Sequence, residues 1–96
     1  MIQNLLCQPN NPMMGSTRVT ATVTNQTAGA TMAGSPQAKL TDSNGTSTPA
    51  VNMNPTGGNN YVAVIGSGGL VAPTTASVTV QWQVMNIVSE TAGCNC

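Results

Sequence analysis

The sequence predicts an all-β chain, a small antiparallel β-sandwich of jelly-roll or immunoglobulin-like type. Three observations carry this. Over residues 76–88, Val78, Val80, Trp82 and Val84 alternate with Thr79, Gln81 and Gln83, the period-two pattern of a strand with one buried and one wet face. Short β-branched runs recur between turns rich in Gly, Pro and Asn. A helical period of 3.6 is found nowhere. Three parts are expected: an extended N-terminal arm over residues 1–15, a β-sandwich core over 16–90 and a Cys-bearing C-terminal tail over 91–96.

The arm follows from Pro9, Pro12 and the amides around them, which oppose regular structure. Ile2, Leu5 and Leu6 form a small apolar knob on it, expected to lie on something, a neighbouring copy included. Residues 17–25 read as a strand with Val19, Ala21 and Val23 on one face and Arg18, Thr20, Thr22 and Thr24 on the other. Residues 26–36 read as a loop. Residues 37–41 read as a short strand with Ala38 and Leu40 inward. Asp42-Ser43-Asn44-Gly45 is the clearest turn, with residues 46–53 returning as a hairpin partner that Pro49 confines to an edge or bulge. After a turn over 54–60, the apolar run 61–65 predicts a strand covered on both faces, and 66–75 a loop. Residues 76–88 are then one central strand, with Trp82 buried under 61–65. Trp82, Val80, Val84 and Tyr61 are the expected core. The chain has one Trp, one Tyr and no Phe, so Trp82 is its largest apolar surface. Past Val84 the parity blurs, because Met85 and Ile87 fall on the wet face. Either a bulge resets the register there or another subunit covers this end on both sides.

Ninety-six residues make one small domain with a thin core of Val and Ala, which calls for cross-links, partners or both. Charged residues are 4% of the chain, against about 25% in soluble domains. Only Arg18, Lys39, Asp42 and Glu90 are charged, and they sum to zero. Such a surface suits subunits packed on copies of themselves or on other structural proteins, and poorly resists self-association. Two cations cannot support nucleic-acid binding. No apolar run is long enough to cross a membrane. Residues 1–11 lack the pattern of a signal peptide, so the chain is expected to be a mature product or one made without that export route.

Catalysis lacks raw material. Without His the usual base for a Ser or Cys nucleophile is missing, and Asp42 and Glu90 are expected in solvent. No catalytic, cofactor or metal residue is assigned; a closed zinc site wants four ligands where three Cys exist. Cys7, Cys94 and Cys96 fall outside the predicted core and are cross-link candidates. Three is odd, so one thiol is left over or pairs between molecules. Stapling of tail to arm, within or between copies, is the expectation, with reduced thiols of a cytosolic protein as the alternative.

These features point to a non-enzymatic structural subunit of a self-assembled particle. A virion-surface protein, a capsid decoration or cement subunit, is the first form. The second is a disulfide-stapled subunit of an extracellular fibre or spore surface. Cys7 in the arm and Gly93-Cys94-Asn95-Cys96 at the end give the chain a general layout that resembles spore-appendage fibre proteins, and the likeness covers only the two ends. It implies a jelly-roll core joined through a Cys-bearing connector, although this arm holds one Cys where that family has several. The third form is a small carbohydrate- or ice-binding module, for which the row Thr20, Thr22 and Thr24 is the candidate.

Overall fold

The computed structural model describes residues 1–10, 15–25, 29–71 and 73–96. The arm reading at 11–14 and the loop readings at 26–28 and 72 lie outside them. Nine strands follow in order among the described residues: β1 (Ile2–Asn10), β2 (Ser16–Val23), β3 (Thr31–Met32), β4 (Gln37–Thr41), β5 (Val51–Asn52), β6 (Asn54–Gly57), β7 (Asn60–Gly66), β8 (Thr75–Gln83) and β9 (Ile87–Asn95). They form two antiparallel sheets packed as a small β-sandwich. The first runs β1-β2-β7-β6. In the second, β9 pairs along the whole of β8, while β4 and β3 share its other edge and β5 lies beyond β4.

Alternation sets which side chains enter. Val19, Ala21, Val23, Ala63 and Ile65 face inward from the first sheet, and Ala38, Leu40, Ala76, Val78 and Val80 from the second. Eight of these ten are Val or Ala, so the layer between the sheets buries little area per residue. Met53, a single residue between β5 and β6, is buried where the chain crosses from one sheet to the other, and its N–H donates to the Pro36 carbonyl at 2.8 Å. That crossing closes one side of the sandwich.

The opposite side is closed by the segments read as arm and tail, and both readings change. Residues 2–10 are the edge strand of the first sheet, paired in register with β2 of the same chain. The register shifts between Gln3 and Leu6, and Asn4 has φ 53°. Asn tolerates this left-handed conformation, which suits a bulge. The bulge resets the parity, so Ile2 and Leu5, three apart, both pack on the core, and Leu6 is left outside. The knob is therefore mostly consumed by the chain's own core. The tail is the end of β9, hydrogen-bonded to β8 up to Asn95.

The strand expected over 76–88 is likewise two strands. Val84, Met85 and Asn86 turn the chain back, and Gln83 faces Ile87. Val84 is accordingly no core residue: it is 43% exposed at the turn. Val80 is fully buried, while Trp82 and Tyr61 are half-buried at the rim and pack against the core. Strand β7 is not covered on both faces, since Val64 stands exposed on its outer face. The hairpin after β4 holds at its turn, with Gly45 N–H donating to the Asp42 carbonyl at 3.1 Å and Thr41 bridging Ser47. It pairs again at β5, and Pro49 sits in the unpaired gap.

Cys7 and Cys96 form a disulfide, with Cα atoms 4.8 Å apart and a sequence separation of 89. A link spanning nearly the whole chain restricts the unfolded ensemble, worth about 4–5 kcal/mol by chain entropy. Cys7→Ser should lower unfolding free energy by a large part of that in denaturant titrations, and Cys94→Ser should not. Equal stability of Cys7→Ser and the parent would show that the sandwich stands without its staple. Among side-chain truncations, Leu40→Ala, at a fully buried position, should cost about 2–5 kcal/mol and exceed Trp82→Ala, whose indole is already half in water. The reverse ranking would put the centre of the core at Trp82.

Candidate functional site

The four charged side chains divide by role. Arg18 and Lys39 stand exposed on the outer faces of the two sheets. Both acids, expected in solvent, are instead tied to backbone donors. Asp42 is buried; its Oδ1 accepts from the N–H groups of Asn44 and Thr46, both at 2.9 Å, and its Oδ2 from Val71 N–H at 3.2 Å. It thereby fixes its own turn and ties down the loop after β7. Burial pushes its carboxyl up, but the three N–H donors outweigh this and hold it below the usual aspartate value.

Glu90 lies on the inward parity of β9, facing Val80. Its Oε1 accepts from Trp82 Nε1–H at 3.0 Å and pairs with the Met1 ammonium at 3.0 Å, and its Oε2 accepts from Ile2 N–H at 2.8 Å. One carboxylate thus pins the start of β1 to β9. Further along, the Cys7–Cys96 disulfide pins the same two strands again, so β1 and β9 run side by side in the same direction. Partial burial raises the Glu90 carboxyl; its hydrogen bonds from the ammonium, Trp82 and Ile2 more than offset that, and it titrates below the usual glutamate value.

All three cysteines gather at this closed side. Cys7 is a core residue, contrary to the expectation that it lay outside, and Cys94 and Cys96 pack against the same core. Among the described residues Cys94 is the free thiol; burial pushes its pKa up against a backbone hydrogen bond at Ala76. No group of three or more His, Cys, Asp or Glu among the described residues is placed to hold a metal ion.

Two surface features remain. On the outer face of the first sheet lies a broad, open depression of about 480 Å³ beside Asn4, Arg18, Thr20, Thr22 and Asn60. Thr22 is not one of a free row of hydroxyls: it donates to Asn60 Oδ1 at 2.8 Å and receives Asn4 Nδ2–H at 3.4 Å. Tyr61, the only aromatic beside this depression, sends its hydroxyl across to Met32 Sδ at 3.9 Å.

The second feature is the tip of the β8–β9 hairpin. Val84, Met85, Ile87 and Val88 are 43%, 94%, 58% and 53% exposed. At its base is a cavity of about 180 Å³ lined by Trp82, Val84, Val88 and Ala30 together with Asn25, Glu90 and Met1. Four exposed apolar side chains in five residues cluster at this tip, with Val84 and Val88 on the cavity side and Ile87 on the opposite face of β9; exposed apolar surface of this kind marks a contact site. The blurred parity after Val84 was its trace in the sequence. Comparison of the chain with known protein families, curated proteins and solved structures finds no match.

Glu90 gives a pH test. Its folded value lies below the unfolded one, near 4.5, so its contribution is complete above that value and is lost as pH falls through the folded value. Glu90→Gln should flatten the acid side of the stability profile below about pH 4.5 and leave the share due to Asp42. A profile unchanged by Glu90→Gln would mean that the carboxylate holds nothing together.

Proposed function

We propose that the chain is a non-enzymatic structural subunit of a self-assembled particle, whose partners are copies of itself and other structural proteins. One observation carries this: the uncharged, exposed apolar tip of the β8–β9 hairpin on a molecule with four charged side chains. Catalysis is disfavoured because both carboxylates are committed to structural donors and titrate below their usual range, away from the pKa near neutrality that acid–base work needs. A virion-surface protein that decorates a capsid fits these features. The Cys7–Cys96 disulfide favours a working place outside a reducing cytosol, which suits a virion surface and equally the second reading, an extracellular fibre or spore-surface subunit.

Electron microscopy of the concentrated, disulfide-intact protein tests the proposal. Ordered shells or filaments are expected, and the double variant Ile87→Ser/Val88→Ser should lose them while keeping the β signature in circular dichroism. Protein that yields no ordered assembly larger than a dimer at any concentration would return the small binding module to first place.

A further inference from the structure

We infer that the hairpin tip is a self-complementary contact, in which Met85 of each of two copies enters the Trp82 cavity of the other. The inference deepens the assembly reading and rests on it for its biological setting, but its geometry stands separately.

Size comes first. A cavity of roughly 150 Å³ holds one benzene, so the 180 Å³ beside Trp82, lined by Trp82, Val84, Val88 and Ala30 with the polar Asn25 and Glu90 beside them, has room for one side chain of comparable bulk. Met85, 94% exposed in the turn next to that cavity, is such a side chain. It is unbranched and flexible, and its thioether packs well against an aromatic ring. Met85 cannot serve its own chain as core, since the turn carries it away from both sheets. Left in water, it is the most exposed large apolar residue of the described surface.

Charge permits the approach. The charged groups at the site are Glu90 and the Met1 ammonium, and they pair with each other. Two copies can therefore meet face to face without setting an uncompensated charge against its like. Arg18 and Lys39 lie on the outer sheet faces and not at the tip.

Placement decides the symmetry. Knob and hole are neighbours on one hairpin, so a twofold axis satisfies both insertions at once and the contact closes on itself. The tip side chains on the cavity side, Val84, Met85 and Val88, expose on the order of 300 Å² of apolar surface per copy, well below the usual size of a stable interface. The dimer is thus weak and reversible, and growth into a particle needs a second contact elsewhere.

Trp82 is the only Trp, so its emission reads the cavity directly. Sedimentation and fluorescence should be followed together over a dilution series from micromolar to millimolar protein. Expected are a monomer–dimer equilibrium and a shift of Trp82 emission to shorter wavelength that tracks the dimer fraction. Both should persist in about 1 M NaCl, because no ion pair drives them. Met85→Gln should stay monomeric with no shift, and Met85→Leu should restore both. A parent that is monomeric throughout, a dimer whose Trp82 emission does not move, or a dimer unaffected by Met85→Gln would each overturn the inference. Ordered particles formed equally well by Met85→Gln would sink it while sparing the assembly reading. A Met85-dependent dimer that never grows would do the opposite.

Discussion

The closure of β1 against β9 is the constraint on which the rest of the molecule depends. These strands are the edges of different sheets, and no backbone ladder joins them. Glu90 joins them at one end through Ile2 N–H and the Met1 ammonium, and the Cys7–Cys96 disulfide joins them at the other. The core between the sheets is built largely from Val and Ala and buries little area per residue. A core of that kind gains from a covalent link that denies the unfolded chain most of its freedom. Met53 closes the far side by packing and by its N–H bond to the Pro36 carbonyl, with no covalent link, so the near side is where cross-linking has the larger effect.

That closure also decides what is left for partners. An N-terminal arm reaching to a neighbour would have placed Ile2, Leu5 and Cys7 in an interface. Pairing with β2 turns all three inward, and the cysteines link the chain to itself. In the assembly proposed above, contact with other copies falls to surface that the fold leaves apolar. The β8–β9 tip is such a surface, and it lies next to the half-buried indole that Glu90 holds in place.

Much of the sandwich was legible from alternation. The inward sets Val19, Ala21, Val23 and Ala76, Val78, Val80 follow directly from period two, and Asp42 to Gly45 announced its turn. The misreadings have definite causes. Val84-Met85-Asn86 turns the chain without Gly or Pro, so its apolar residues read as more strand. The bulge at Asn4 breaks the alternation of β1, and Pro9 disguises the strand further. Strand β9 carries Ala, Gly and Cys where a strand is usually recognised by branched residues. Its order comes from pairing with β8 and from the disulfide, neither of which shows in local sequence. Three cysteines allowed several pairings, and only the course of β1 and β9 brings Cys7 to Cys96. The acids looked solvated because several of their partners are distant in sequence, Val71 N–H for Asp42 and the Met1 ammonium and Ile2 N–H for Glu90.

The central claim is that the cysteine staple closes a single chain, which leaves the contacts of the proposed assembly to surfaces other than the cysteines. Its most direct test is non-reducing peptide mapping of assembled material made from an equal mixture of isotopically heavy and light copies. The account predicts Cys7–Cys96 peptides that are wholly heavy or wholly light, with Cys94 recovered as a free thiol. Mixed heavy–light peptides joining Cys7 to Cys94 or Cys96 would contradict it and would make the disulfide the link between subunits.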